Sequence, residues 1–185
     1  MAEKRERLAT LLKKHSLRQG QFVLASGEKS SIYLDVKSTS LLGEGAALIG
    51  DLLLDTLESL PEKPSAVGGL TLGADPLVTA MVIAAYGREI DLAAIICRKG
   101  AKSHGTKRAM EHPPTLMAGD KVVAIDDVIT SGASTLQAIE IMRTGGFEIN
   151  AALCVVDRNA GGREALEAEG VEVHALFTLD DLTEV

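Results

Sequence analysis

Apolar residues along this chain follow two alternating rhythms. Leu8, Leu11 and Leu12 stand at helical spacing in a charged segment, predicting an amphipathic helix over residues 2–15. Phe22-Val23-Leu24 and Ile32-Tyr33-Leu34-Asp35-Val36 predict two short strands around the turn Ser26-Gly27-Glu28-Lys29-Ser30. Ile49, Leu52, Leu53 and Leu57 mark the apolar face of a helix over residues 45–60, stopped by Pro61. Beyond it, strand-like apolar runs fall at residues 66–69, 92–97, 121–125, 149–156 and 171–176. Helical patterns lie among them at 74–86, 134–144 and 161–169, with Pro76 tolerated in a first turn. Strands that are apolar throughout and alternate with helices predict an α/β fold. Its sheet should be mostly parallel and flanked by helices.

Residues 98–119 break this rhythm. They hold three glycines and the pair Pro113-Pro114, and no apolar period is sustained. A loop of that length in a compact domain predicts a lid or binding loop, or a disordered segment. Sheets of this class bind ligands beyond the carboxyl ends of their strands. Four chemically rich segments should converge there: Gly69-Leu70-Thr71, Arg98-Lys99, Asp126-Asp127 and Asp157-Arg158.

Composition narrows the function classes. A chain of 185 residues with 46% hydrophobic and 24% charged residues predicts one folded domain over 1–185, not disorder. Aromatics at 3% and no Trp disfavour a stacking surface for single-stranded nucleic acid. A net charge of −7 disfavours nucleic-acid and anionic-membrane partners. No apolar run reaches membrane-spanning length, and the N-terminus lacks a signal-peptide core, so a cytoplasmic location is expected. Cys97 and Cys154 lie in apolar runs as expected for buried free thiols; a disulfide or a catalytic thiol stays open.

The richest stretch is Val122-Val123-Ala124-Ile125-Asp126-Asp127-Val128-Ile129-Thr130-Ser131-Gly132-Ala133-Ser134. It reads as a buried strand that carries two carboxylates to its tip, then a small-residue loop opening a helix. Such a loop presents backbone N–H groups and a positive dipole end to an anion. The alternative is a solvated turn with a helix cap. Acids placed before an anion loop suit a ligand with a phosphate at one end and vicinal hydroxyls further along. No nucleotide P-loop pattern occurs. Opposite this loop, Arg98, Lys99, Lys102, Lys107 and Arg108 form a block of cations free of acids. It reads as an anion-binding lid, or as a solvated loop. Within it His104 could protonate a leaving group near neutral pH. His112 and His174 carry only surface or packing readings. Arg158 offers a fork for a planar carboxylate, or a partner for Asp157.

The segment from Asp126 to Gly132 resembles the 5-phosphoribosyl 1-diphosphate (PRPP) signature of type I phosphoribosyltransferases. Arg98-Lys99-Gly100-Ala101-Lys102-Ser103-His104-Gly105 resembles the catalytic loop of the orotate phosphoribosyltransferases. The resemblance implies a small N-terminal hood over about 1–40 and a mobile catalytic loop over about 98–119. It implies that Val128, Ile129, Thr130, Ser131, Gly132, Ala133 and Ser134 hold the ribose 5′-phosphate. Asp126 and Asp127 would contact the ribose hydroxyls. Mg²⁺ would bridge pyrophosphate and ribose oxygens, with Asp126 and Asp127 as candidate protein ligands. Arg98, Lys99, Lys102 and His104 would contact PRPP or pyrophosphate across a homodimer interface, with Lys102 the main catalytic group. Thr71, Leu72 and Gly73 would form the pyrophosphate loop, although Leu72 lies where some members carry a Lys. Arg158 would grip the orotate carboxylate with Thr130 as companion, and Tyr33 would cover the pyrimidine or simply sit half-buried in its strand. Ala25 replaces a hood Lys of some members, for which Lys29 is a candidate substitute. The implied activity joins orotate to PRPP, giving orotidine 5′-phosphate in pyrimidine (UMP) synthesis. A purine phosphoribosyltransferase and a non-catalytic PRPP-sensing regulator are the rival readings.

Overall fold

A computed structural model of the chain describes residues 2–23, 29–100 and 109–183. Helix α1 (Ala2–His15) leads into the antiparallel pair β1 (Leu17–Val23) and β2 (Lys29–Leu34), which form a separate two-stranded sheet. A short helix α2 (Lys37–Ser40) and the long α3 (Gly43–Glu58) follow. The main body then alternates: β3 (Ala66–Leu70), α4 (Asp75–Gly87), β4 (Ala93–Cys97), β5 (Met110–Glu111), β6 (Val122–Ile129), α5 (Ala133–Thr144), β7 (Ala151–Asp157), α6 (Gly162–Ala168), β8 (Glu172–Thr178) and α7 (Leu179–Thr183).

Six of these strands form one sheet in the order β5-β4-β3-β6-β7-β8, with only β5 antiparallel to its neighbour. The expected mostly parallel sheet is therefore present. One apolar cluster packs one face of the sheet against α1, α3 and α4, through Leu8, Leu12, Leu53, Leu77 and Met81. A second holds Ile95, Ala138, Ile139, Met142 and Leu166, packing α5 and α6 on the other face. Chain order places β4 on one side of β3 and β6 on the other. The topological switch point, where such sheets open a crevice at their carboxyl ends, thus lies between β3 and β6.

Three elements depart from the sequence pattern. β6 runs through Asp126 and Asp127 to Ile129 because Asp126, Val128 and Ile129 pair with Cys154, Val156 and Asp157 of β7. The acids lie inside the ladder and the anion loop begins only at Thr130. The loop expected over 98–119 is shorter than that. Met110 and Glu111 pair with Cys97 and Ile96, the Arg98 N–H donates to the Ala109 carbonyl at 2.8 Å, and Leu116 is buried. Finally, α2 and α7 are helices too short to show an apolar period.

Candidate active site

At the switch point, β3 ends in the turn Thr71-Leu72-Gly73 and β6 carries Asp126 and Asp127. Thr71, Leu72, Gly73, Lys99, Asp126, Asp127, Val128 and Ser134 line one cavity of about 240 Å³, with Lys37 on its wall. The turn and the acid touch closely. A Cβ on Gly73 would lie 2.5 Å from Asp127 Oδ1, so a side chain there would displace the Asp127 carboxylate. The Thr71–Leu72 peptide bond is cis. The Thr71 N–H is occupied by the Cys97 carbonyl at 2.8 Å.

The two acids are held differently. Asp126 is buried at 7% exposure. Its Oδ2 accepts from Ser134 Oγ at 2.7 Å and Thr135 Oγ1 at 2.6 Å, and its Oδ1 from the Asp127 N–H at 2.9 Å. Burial pushes its carboxyl up to about 6, and the neighbouring Asp127 charge adds to the rise; the two hydroxyl bonds oppose it. Asp127 is more open. Its Oδ1 accepts the Val128 N–H at 3.0 Å and its Oδ2 faces Lys37 Nζ at 3.3 Å. Lys37 also reaches Asp35 Oδ1 at 2.8 Å. Partial burial pulls that ammonium down, but the bond to Asp35 and the charge of Asp127 outweigh it and leave it raised.

Beyond β6 the chain turns through Gly132, whose φ of 76° opens α5 in the left-handed region. Among the described residues, the amides of Ser131, Gly132, Ala133 and Ser134 donate to no backbone carbonyl. They are the free donors of a helix start, suited to an oxyanion. Ile129 is fully buried and its carbonyl accepts the Arg158 N–H at 2.9 Å, so within the expected phosphate-binding set it serves the core. The Ser134 hydroxyl is likewise turned to Asp126, leaving its amide for a ligand.

On β7 the expected alternative for Arg158 does not occur. Asp157, fully buried, pairs with Arg163 Nε at 3.0 Å and accepts the Asn159 N–H at 2.9 Å. The half-buried Arg158 side chain has no partner among the described residues, and its backbone is tied beside Thr130. Tyr33 stands on the hood, 5.4 Å from the Phe22 ring and 41% exposed. Arg98 pairs with Glu111 at 3.2 Å at the root of the loop, not with the cavity. Lys102 and His104, like Lys107, Arg108 and Ala25, lie outside the described residues. His112 stacks edge-on against Phe147, and His174 approaches Glu172 at 3.2 Å. Cys97 and Cys154 are free and buried. Burial pushes both thiols up, Cys97 to about 12, the opposite of an activated nucleophile.

Two members of the site were not foreseen from the sequence. Thr135 follows Ser134 in the first turn of α5 and could have been found by extending the hydroxyl run by one residue. Lys37 stands just past the second hood strand, ninety residues from the acid it meets, and carries no local signal.

Asp127, the more open of the two acids, is the carboxylate suited to a divalent cation; both oxygens of Asp126 already accept hydrogen bonds. The described residues contain no group of three or more His, Cys, Asp or Glu side chains able to hold a metal. Such a site suits an ion brought largely by phosphate oxygens, the habit of Mg²⁺.

The family model for the phosphoribosyl transferase domain matches residues 39–174. The orotate phosphoribosyltransferase of Synechocystis sp. is 42% identical over 185 residues, covering 100% of this chain and 91% of that protein. The orotate phosphoribosyltransferase of Mycobacterium tuberculosis H37Rv, crystallised with Fe(III) dicitrate, superposes with a TM-score of 0.83 at 38% identity, covering 97% of this chain and 99% of that one. The same enzyme crystallised with PRPP superposes with a TM-score of 0.80 at 32% identity, covering 97% and 98%. An adenine phosphoribosyltransferase of Leishmania donovani, at 20% identity and a TM-score of 0.64 over 96% and 82%, shares the fold alone. With its acid pair, its free-amide loop and its full-length likeness to these enzymes, this chain belongs to the phosphoribosyltransferase family and groups with its orotate phosphoribosyltransferases.

Proposed function

We propose that this chain transfers the 5-phosphoribosyl group of PRPP to orotate, giving orotidine 5′-phosphate and pyrophosphate in pyrimidine synthesis. The observation that carries the reading is the adjacency of two unlike anion sites. The free amides after Thr130 suit the ribose 5′-phosphate. One strand over, the unpaired Arg158 fork suits a planar carboxylate on the incoming base.

In the reaction a C1′–N1 bond forms as the bond from C1′ to the pyrophosphate oxygen breaks. Orotate N1 is already acidic, so the site's task is to orient both partners and receive charge on the leaving group. Asp127, open to the cavity, holds ribose oxygens. Asp126, fixed by Ser134 and Thr135, sets the position of its neighbour and adds its charge. Asp127 would help hold a Mg²⁺ ion carried in with PRPP, with Asp126 beside it, and the ion would supply positive charge for the departing pyrophosphate. Leu72, Gly73 and Lys99 line the same cavity, where backbone amides and an ammonium would meet that group. Lys102 and His104 belong to the lid that completes it, with Lys102 the main contributor. Closing the lid excludes water that would otherwise hydrolyse the activated sugar.

The working unit in this reading is a homodimer whose lids serve each other's sites. Its support is an apolar face beside the cavity. Leu41, Leu72, Ile83 and Tyr86 are all exposed, Leu72 at 74%, and a groove of about 590 Å³ lined by Leu41, Leu72, Pro76 and Ile83 is continuous with the site through Lys37. A second copy covering that face would bring two active sites to one interface. The buried free thiols and a described chain with no helix long and apolar enough to cross a membrane support the cytoplasmic location.

The test is an ultraviolet assay of orotate consumption with PRPP and Mg²⁺. Wild-type protein should consume orotate and spare adenine and hypoxanthine; purine consumption alone would sink the reading. Arg158→Ala should raise KM for orotate by about ten- to a hundredfold, with KM for PRPP within threefold. A change confined to PRPP would move Arg158 off the base side.

A further inference from the structure

The turn after β3 poses a problem of charge. It is the wall on which a diphosphate would lie, yet Thr71-Leu72-Gly73 contains no cation and the Thr71 amide is already used. Two free amides are a thin complement for a group of several negative charges. Besides Lys99, one other cation among the described residues lines this cavity, and it comes from another part of the chain. Lys37 opens α2, immediately beyond the hood, and its ammonium lies 3.3 Å from Asp127 Oδ2. The opposite oxygen of that carboxylate, Oδ1, occupies the space that a side chain at Gly73 would need. Lys37 and the turn therefore flank a single carboxylate, and both line the same cavity with Lys99.

The hold on Lys37 is suited to exchange. Asp35, two residues away, keeps the ammonium at 2.8 Å, while the longer contact to Asp127 is the looser of the two. The side chain is 42% exposed and stands at the mouth of the cavity. A flexible four-carbon stem can swing its charge from Asp127 to a phosphate oxygen without leaving Asp35.

We propose that Lys37 is a pyrophosphate-binding residue of this active site, supplying from the end of the hood the positive charge that the 71–73 turn lacks. Before substrate arrives it neutralises Asp127. When Asp127 takes up ribose oxygens, the released ammonium turns to the diphosphate. The inference rests on the phosphoribosyl-transfer reading but not on the identity of the base.

Calorimetric titration of PRPP and of inorganic pyrophosphate, each with Mg²⁺, into wild-type protein, Lys37→Met and Lys37→Arg tests it. Lys37→Met should weaken both ligands by about ten- to a hundredfold, the loss of one charge-assisted contact. KM for orotate should move less than threefold, and Lys37→Arg should restore most of the affinity. Unchanged affinity in Lys37→Met, within twofold, would overturn the proposal. So would a parallel loss of orotate and PRPP affinity with a lowered melting temperature, which would make Lys37 only a strut for Asp127. Wild-type protein that binds pyrophosphate but turns over no orotate would sink the orotate reading and leave the Lys37 result standing.

Discussion

β6 and β7 lie side by side, and each carries a buried aspartate, Asp157 as the last residue of β7 and Asp126 within the second half of β6. On β7, Asp157 has its own cation in Arg163 and a backbone amide to complete it. On β6, Asp126 has only neutral donors, two hydroxyls and an amide, and a second acid beside it. The same residue type on neighbouring strands thus serves two purposes. A buried acid with its own guanidinium is part of the scaffold. One kept by neutral hydroxyls, with burial working against its charge and no cation of its own, is the arrangement expected of a binding site rather than of the scaffold.

The contrast breaks first at Asp127. Asp127→Asn should lower kcat/KM for PRPP by about 10²–10³-fold, as expected when a group aimed at the reacting sugar loses its charge. Its melting temperature should stay within a few degrees of wild type. A loss smaller than tenfold in steady-state assays would remove the β6 end from the chemistry. The next largest effect belongs to β7 and has the opposite character. Arg163→Met leaves Asp157 buried without a cation and should cost about 3 kcal/mol in urea unfolding, the low end for a broken buried pair because Arg163 is itself partly exposed. Both KM values should move less than threefold. A large KM change with unaltered stability would make Arg163 functional and erase the distinction.

The smallest effect sharpens the contrast by pH. The Asp126 carboxyl is raised from 3.8 to about 6 in the folded protein. Its contribution to stability is therefore full below about pH 4 and is lost as pH rises through 6. Asp126→Asn cannot ionise. Without metal or PRPP it should match wild type near pH 4 and exceed it by about 1–2 kcal/mol at pH 8, within the limit set by a shift of this size. Chemical denaturation at the two pH values reads this directly, and a variant that is relatively less stable at pH 8 would reverse the sign.

How much of this was legible in the sequence depends on the range of the interaction. Strands buried on both faces announce themselves as apolar runs, so β3, β4, β7 and β8 were found within a few residues. The extension of β6 through its acids was not, because backbone pairing with β7 sets it and pairing leaves no side-chain period. The two-residue β5 escaped for the same reason. Within the site, the acid pair and the small-residue loop are contiguous and could be read together. The free state of Arg158 could not, since it depends on Arg163 having taken Asp157. Lys37 was hidden most deeply, being joined to its acid only by the folding of the hood onto the sheet.

The turn after β7 and the loop after β6 also meet closely, largely through main chain, with the Ile129 side chain packed against Gly162. A Cβ on Gly132 would lie 2.9 Å from the Gly162 carbonyl oxygen, and one on Gly162 would lie 2.6 Å from the Thr130 carbonyl oxygen. Main chain rests on main chain, and the Arg158 amide pins the same junction. The span from the amides after Thr130 to the root of the Arg158 side chain is therefore set mainly by backbone contacts. A side chain added at either glycine would have to push the loop after β6 and the start of α6 apart.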